Sequence, residues 1–407
     1  MVVLRVLGLA AVLSFIVACS GGGGSSDLGE KPVAIITITS SDNTTVDEFE
    51  VGKTYYLHSN SYSENNLIKD HLWNLSQQPV SSTANVPSSS TKSFEFSPDT
   101  EGTYKFDLQV LDGSQYSETE SIEIFARSYT YIGGIISEDT SLTSIDSPYK
   151  ISSTIQIAHG VTLRVEPGTE IYGLGSIQSY GAFIVAGSAN QPVLLRNLYL
   201  TNNGTNLENS SIEINHALIQ GGMISPAGNS GYGYMILRDS RLEDVFGQLY
   251  PIPPGQTSSG GLDYMYLWYP TENCYIERNI FDNSFSISTG TSASDAEIFI
   301  RNNVFANTRR EYVINNWASY GGNAVYVEEN SFLDTAERLS SNSNILTIGP
   351  NSSSMSALNN YWGGLSNDQI PNLIHDKNDS LSAAGYIDYL PTLTEPAAAT
   401  PSYSARD

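Results

Sequence analysis

The residues of this chain best suited to chemistry lie in one short run, Arg309-Arg310-Glu311-Tyr312. Paired cations can neutralise the carboxylate of a uronic acid, and a tyrosine hydroxyl can act as the base in a β-elimination. Arg309 and Arg310 form the only adjacent arginine pair in the chain. A cluster of surface ion pairs explains the same run without catalysis. The run therefore has two interpretations, a lyase site and a solvated surface.

A second candidate is an aromatic run that follows a Pro/Gly/Ser-rich stretch at 248–261. Successive residues of a strand point to opposite faces, so Tyr264, Tyr266 and Trp268 share one face. If that face is outward, its rings form a platform suited to stacking on sugars. In the alternative, one face packs into the protein and the other lies under the preceding loop. The sequence leaves both arrangements open.

Other kinds of site are poorly represented in the sequence. There is no Asp-Asp pair, and the five histidines do not have metal-ligand spacing. Cys274 stands in an apolar run without a nearby histidine, which favours a buried, inert thiol. The net charge of −24 disfavours nucleic acid as a partner, and acidic polysaccharides would need a bridging cation. We therefore predict no dedicated metal site and keep Ca²⁺ as the one candidate cofactor.

A repeated six-residue phrase indicates the scaffold that must position these candidates. It consists of an aliphatic residue, two variable residues, a small polar residue, one more residue and a large apolar one. This fourth position falls at 217, 240, 279, 303, 330 and 360, separated by 23, 39, 24, 27 and 30 residues, and is polar in all copies except the first, which has Ala217. A period of this size predicts a solenoid. The interval of 39 residues contains the stretch before Tyr264, and long loops on such scaffolds commonly carry function.

Residues 128–393 resemble right-handed parallel β-helix proteins of the pectate-lyase-like class. The resemblance rests on the repeated phrase, on short apolar runs such as 182–187, and on the closing Asn359-Asn-Tyr-Trp-Gly-Gly364. Stacked coils of this kind bury aliphatic residues, and their inward asparagines can form a ladder of amide hydrogen bonds. Polysaccharide lyases of the class use clustered aspartates with Lys or Arg, and this chain lacks such a cluster.

Residues 32–127 contain short alternating strands separated by turns, a pattern that predicts an antiparallel β-sandwich. Trp73 is the expected core tryptophan, and Asp99–Tyr104 has the pattern of a tyrosine corner. The segment resembles the polycystic-kidney-disease (PKD) type of immunoglobulin-like domain, although the acidic-glycine run that usually follows the tryptophan is missing. The resemblance implies a spacer, and in some proteins a sugar-binding module.

The N-terminal residues predict the location of the protein. Residues 1–18 have the pattern of a signal peptide, and Ile16-Val-Ala-Cys19 resembles the lipobox of bacterial lipoproteins. The resemblance implies acylation of Cys19, with a lipid bilayer as partner. Ser20 is similar to the residue found in lipoproteins sorted to an outer membrane, facing the periplasm or the cell surface. Residues 19–31 are expected to be a flexible linker, and 394–407 a disordered tail.

The sequence as a whole predicts an all-β lipoprotein in which a β-sandwich precedes a parallel β-helix. The expected role is non-catalytic binding or adhesion, with carbohydrate as the ligand of Tyr264, Tyr266 and Trp268. The first alternative is a polysaccharide lyase that uses Arg309, Arg310 and Tyr312. The second alternative is a purely structural surface protein.

Overall fold

The computed structural model describes residues 30–64, 66–88, 90–202, 210–225, 234–247, 264–291, 296–308, 311–319, 325–352 and 354–405. Cys19 and the predicted signal peptide lie outside the described residues. The chain divides into two compact units, Met1–Ser128 and Tyr129–Asp407. Within the ranges given above, no helix is long and apolar enough to cross a membrane.

The first unit contains two small sheets. The strands are β1 Ile36–Thr39, β2 Glu48–Glu50, β3 Tyr55–Ser59, β4 Asp70–Gln77, β5 Ser93–Phe96, β6 Gly102–Leu111 and β7 Glu120–Arg127. One sheet has the antiparallel order β1-β3-β5. The other has the order β2-β7-β6-β4, in which only the β2–β7 pair is parallel.

Both sheets contribute to one hydrophobic core in this unit. Trp73 is buried, and its indole Nε1 donates to the carbonyl of Thr91 at 2.9 Å. The Tyr104 hydroxyl donates to the Thr100 carbonyl at 2.9 Å and accepts from the Thr100 N–H at 3.2 Å. This contact is the predicted tyrosine corner, in which a buried phenol is satisfied by backbone a few residues upstream.

The second unit is a parallel β-solenoid of about eight turns. Its strands are β8 Thr130–Ile136, β9 Thr140–Leu142, β10 Tyr149–Ile157, β11 Thr162–Val165, β12 Glu170–Gly173, β13 Ser176–Ser179, β14 Ala182–Ala186, β15 Val193–Arg196, β16 Tyr199–Asn202, β17 Ser211–Asn215, β18 Ala217–Gln220, β19 Met223–Ser225, β20 Tyr234–Arg238, β21 Arg241–Glu243, β22 Tyr264–Trp268, β23 Cys274–Glu277, β24 Ile280–Asp282, β25 Ser286–Thr291, β26 Ile298–Arg301, β27 Val304–Ala306, β28 Ile314–Ser319, β29 Val325–Glu328, β30 Ser331–Phe332, β31 Leu346–Asn351, β32 Ser354–Ser356, β33 Ile374–His375 and β34 Tyr386–Asp388. A short helix α1 spans Thr335–Ser341, and a 3-10 helix spans Ile370–Leu373.

These strands form three parallel sheets, which we name A, B and C. Sheet A has the order β34-β32-β29-β26-β23-β20-β17-β14-β11-β9. Sheet B follows the path β19-β16-β13-β10-β12-β15-β18-β21-β24-β27-β30, with β8 also paired to β10. Sheet C has the order β22-β25-β28-β31-β33. Each later coil passes through sheets A, B and C in turn, so neighbouring coils pair in all three sheets.

Stacked side chains fill the interior of the solenoid. Ile276, Ile300 and Val327 are fully buried at equivalent positions of adjacent sheet A strands. In sheet B, the rings of Phe281 and Phe305 lie parallel with centroids 4.8 Å apart, and the stack continues through Phe332 and Trp362. Burial of such columns between coils supplies the apolar core that no single coil could form.

The predicted asparagine ladder is present. The Nδ2 atoms of Asn279, Asn303 and Asn330 donate to the Oδ1 of the next asparagine, ending at Asn360, over 3.0 to 3.1 Å. Each of the four amides also donates to backbone, as Asn303 does to the Ile276 carbonyl at 2.8 Å. The ladder therefore satisfies buried polar groups where the chain turns from sheet A to sheet B.

A left-handed residue precedes the fourth position of each of the six repeated phrases, and we call this edge between sheets A and B the corner. The corner residues are His216, Asp239, Arg278, Asn302, Glu329 and Asn359, with φ between 50° and 58°. The corner N–H bonds to a carbonyl of the next coil, as Asp239 does to Glu277. At the last coil, the Asn359 N–H bonds instead to Pro391 at 2.7 Å.

The C-terminal residues Thr394–Ala405, here called the return segment, contact the solenoid corner. The Thr400 hydroxyl donates to the Glu329 carbonyl at 2.9 Å, and Arg241 Nη1 donates to the Ser404 carbonyl at 3.2 Å. The Tyr403 hydroxyl accepts from Asn307 Nδ2 at 3.1 Å. Composition predicts a disordered tail at 394–407; the partners of these contacts are one backbone carbonyl and two side chains of the scaffold, which composition does not encode.

Candidate functional site

The aromatic side chains of β22 point away from the solenoid core. Met265 and Leu267 are buried, while Tyr264, Tyr266 and Trp268 alternate with them and are only partly buried. The strand alternation therefore places the three rings on the outer face of sheet C. The preceding stretch at 248–263, which covers this face in the alternative arrangement, lies outside the described residues. We call these three residues the aromatic row.

The rings of the aromatic row meet at an angle. The Tyr264 and Tyr266 centroids are 5.9 Å apart with an interplanar angle of 42°. Tyr266 and Trp268 are 4.7 Å apart and meet edge to face. The Trp268 indole Nε1 donates to Ser288 Oγ on β25 at 3.2 Å, and a Cβ at Gly290 would lie 3.3 Å from the indole ring. The glycine thus leaves room for the indole to lie close to the sheet.

Tyr312, which precedes β28 two coils away from β22, extends the aromatic row. Its ring stacks on Tyr264 with centroids 5.5 Å apart and an interplanar angle of 26°. Burial and a hydrogen bond with Tyr264 raise the pKa of Tyr312 above its ordinary value. The phenol therefore keeps its proton at neutral pH, which disfavours its action as a base. Arg309 and Arg310 lie outside the described residues, and Glu311 is exposed.

Polar side chains continue the same face along sheet C. Tyr266 pairs in register with Ser288, Ser288 with Asn315, and Asn315 with Thr347. The Thr347 hydroxyl donates to Asn315 Oδ1 at 2.9 Å. His375 on β33 follows in the same register. Hydroxyl, amide and imidazole groups therefore follow the aromatic rings along one line, one group per coil.

This arrangement provides two kinds of contact. Aromatic rings can pack against the apolar faces of sugar rings. Ser288 and Asn315 are buried, so the partly exposed Thr347 and His375 are the groups of this line that can bond sugar hydroxyls. Among the residues that the structure describes, no group of three or more His, Cys, Asp and Glu side chains could hold a metal ion. Cys274 is fully buried, and that burial raises the pKa of its thiol to about 12, which keeps it protonated.

Several members of this face were not predicted from the sequence. The sequence indicates Tyr312 only as a candidate base, and it gives no signal for Ser288, Asn315 and Thr347. The available signal is the alternation of side chains along a strand. Because Ile287 and Ile314 are buried, the residues next to them point outward once the register of the strands is known. That register depends on coil lengths that vary from 23 to 39 residues, so the sequence alone does not give it.

Comparisons with known proteins do not assign the chain to a family. No family model matches the sequence, and no curated protein matches it either. The candidate site is therefore defined by its own geometry.

Proposed function

We propose that this chain binds carbohydrate, without cleaving it, through the outer face of sheet C. The observation that supports the proposal is the aromatic row, in which three partly exposed rings share a sheet face with the partly exposed Thr347 and His375. Partly exposed aromatic rings with adjacent polar groups suit ligands that have both apolar and hydroxylated surfaces, as sugars do. Tyr264, Tyr266 and Trp268 make the principal contacts in this proposal.

The net charge of −24 favours a neutral polysaccharide over an acidic one. Among the described residues of the face, Tyr264, Trp268, Ser288, Asn315 and Thr347 have uncharged side chains. A uronate polymer would need cationic partners or a bridging Ca²⁺ to overcome the general repulsion. Neutral glycans are therefore the first ligands to test.

A polysaccharide lyase is the second candidate function. The contact between Tyr312 and Tyr264 favours it, because one of the three predicted lyase residues then lies beside the proposed sugar platform. In this alternative Arg309 and Arg310 bind the uronate carboxylate, Tyr312 removes the proton, and Ca²⁺ serves as cofactor. The raised pKa of Tyr312 weighs against it.

The pattern of residues 1–31 supports a proposal for the setting of this function. We propose that residues 1–18 are removed, that Cys19 is acylated, and that the lipid holds the protein at the outer membrane, on the periplasmic side or at the cell surface. Residues 19–31 then form a linker long enough to separate the folded units from the bilayer. A lipid-anchored binding protein of this kind would serve adhesion or the capture of polysaccharide.

The two units have different roles in this proposal. The first unit is a PKD-like β-sandwich that acts as a spacer, supported by its two small sheets, the buried Trp73 and the Tyr104 corner. The second is a right-handed β-helix of the pectate-lyase-like class that carries the ligand. The asparagine ladder and the stacked core residues support this assignment.

Native-gel mobility in the presence of polysaccharides tests the proposal. We expect a neutral polysaccharide to retard the chain, and Trp268→Ala to restore most of the mobility. Leu174→Ala is the matched control, because Leu174 is exposed but lies outside the aromatic face. In parallel, absorbance from unsaturated sugar ends should stay constant when the protein is mixed with uronate polysaccharides and Ca²⁺.

Two results would contradict carbohydrate binding without cleavage and favour a different function. Turnover of a uronate polymer that is lost in Arg310→Ala would identify the lyase. Unchanged mobility of the wild-type chain with every polysaccharide tested would favour a purely structural surface protein.

A further inference from the structure

A cavity of about 540 Å³ lies at the solenoid corner, beside the return segment. Ala399 and Pro401 of the return segment form one wall. The other walls come from successive coils and include Pro192, His216, Asp239, Leu218, Arg278 and Ile280. The cavity is therefore a space between a peptide segment and the scaffold on which that segment lies.

The return segment contacts the corner mainly through its backbone and hydroxyl groups. Its Thr400 side chain donates to the carbonyl of the corner residue Glu329, and the scaffold residue Arg241 donates to the Ser404 carbonyl. The Tyr403 ring lies 5.9 Å from the Arg241 guanidinium. Contacts of this type require only an extended backbone and small side chains in the bound segment. Other segments with similar composition could therefore make them.

The charged groups in the cavity wall are already neutralised. Arg278 Nε and Nη2 donate to the two carboxylate oxygens of Asp239 at 2.7 and 2.8 Å. Arg241 contacts Glu243 at 2.6 Å and Asp282 at 3.0 Å. Aliphatic and proline groups supply much of the remaining surface. An uncharged apolar group therefore fits this space better than a free ion does.

We propose that the corner is a docking groove for an extended proline- and alanine-rich segment of a partner protein. In the chain alone, the return segment occupies this groove. The partner segment replaces it and places a larger apolar side chain in the cavity, at the position where the return segment has only Ala399. The occupant is a peptide because a peptide already makes these contacts, and the groove is continuous with that intramolecular interface.

Fluorescence anisotropy with the full chain tests this proposal. The probe is a labelled peptide with the sequence of Thr394–Ala405 in which Ala399→Leu is introduced, and the receptor carries Thr400→Ala and Tyr403→Ala to weaken its own return segment. We expect the probe to bind this receptor at least about tenfold more tightly than the wild-type chain, whose tethered segment competes at high effective concentration. A peptide of unaltered sequence should bind several-fold more weakly than the leucine peptide.

Further variants decide whether the cavity is responsible. Ala189→Trp, at an exposed cavity residue, should abolish the advantage of the leucine peptide, whereas Ala384→Trp, at an exposed site elsewhere, should preserve it. Trp268→Ala should leave peptide binding unchanged, which separates this proposal from carbohydrate binding. If the double variant unfolds, Thr400→Ala alone serves as the receptor. Equal binding of the two peptides, or no binding to a folded receptor, would overturn the proposal.

Discussion

Two sets of aromatic side chains stand on the outside of the solenoid, and their ring geometries differ. Tyr275, Phe299 and Tyr326 occupy one register position on three adjacent strands of sheet A, and we call them the aromatic stack. Their centroids are 5.2 and 5.1 Å apart, with interplanar angles of 12° and 14°. The rings of the aromatic row follow one another along a single strand, and Tyr266 and Trp268 meet edge to face.

The difference shows how the same residue types can serve stability or recognition. In the stack, each ring face is directed at another ring or at a guanidinium, such as Arg301, which lies 4.3 Å from the Phe299 centroid. These faces are used within the protein. In the row, Tyr264 stacks on Tyr312, whereas the edge-to-face contact of Tyr266 and Trp268 covers no more than one ring face of that pair. This difference supports our proposal that the stack serves the scaffold and the row binds the ligand.

The largest expected effect comes from the ladder that supports both aromatic sets. Asn303→Ala removes a buried amide that donates to Ile276 and Asn330 and accepts from Asn279. Because partner groups would remain buried without hydrogen bonds, we expect the free energy of unfolding to fall by about 3 kcal/mol or more. Denaturant unfolding measures this loss. Asn372→Ala, at an exposed site, should change the same quantity by less than about 0.5 kcal/mol, and an equal loss in both variants would contradict the role of the ladder.

Removal of the central ring of the stack should affect stability but not binding. Phe299→Ala eliminates two ring contacts and the contact with Arg301. We expect a loss of about 2 kcal/mol in the free energy of unfolding. Affinity for polysaccharide, measured in the folded variant, should be unchanged. Weakened binding in Phe299→Ala would remove the distinction between the stack and the row.

Two substitutions of Tyr312 test whether its ring or its hydroxyl contributes to glycan binding by the row. Tyr312→Ala removes the ring that stacks on Tyr264, and we expect about tenfold weaker glycan binding, or about 1.4 kcal/mol. Tyr312→Phe keeps the ring and should bind nearly as well as the wild-type chain. Titration with oligosaccharides measures both affinities. If Tyr312 were the base of a lyase, Tyr312→Phe would instead abolish turnover.

The smallest expected effect concerns a tyrosine on the same sheet as the stack. Burial, followed by a hydrogen bond to Glu213, raises the pKa of Tyr234 to about 12. The folded state therefore holds this proton more tightly than the unfolded state. The associated stability is fully present below pH 10 and is lost as the pH rises through about 12. As the pH rises from 10 to about 12, the Tm of Tyr234→Phe should fall less than the Tm of the wild-type chain. The two falls should differ by under about 2 °C.

The sequence predicted the repeating interior better than the outer surface. Asparagines equivalent to Asn303 and aliphatic residues equivalent to Ile276 recur at coil intervals. They stack in the buried interior, which requires the same residue types in each coil, and a single sequence shows that repetition. The contact between Tyr312 and Tyr264 was not predictable, because it joins different coils across sequence that has no period. Left-handed residues other than glycine, such as Arg278 and Glu329, also have no clear local signal.

The return segment is a second case in which contacts between distant parts of the chain are not predictable from the sequence. Its Pro, Ala and Ser content indicates disorder, because such a segment cannot form a core by itself. Its contacts with Glu329 and Arg241 depend on a corner that exists only after the coils have stacked. Composition indicates whether a segment is ordered by itself. The return segment is instead held by contacts with the rest of the solenoid.

The most direct test of the central claim is a titration of the full chain with neutral oligosaccharides, carried out in parallel on Trp268→Ala and Phe299→Ala. Both substitutions remove one outward aromatic ring from a solenoid strand. We predict at least about tenfold weaker binding for Trp268→Ala and wild-type affinity for Phe299→Ala. Equal affinities in the two variants, or loss of binding only in Phe299→Ala, would contradict the assignment of recognition to the aromatic row.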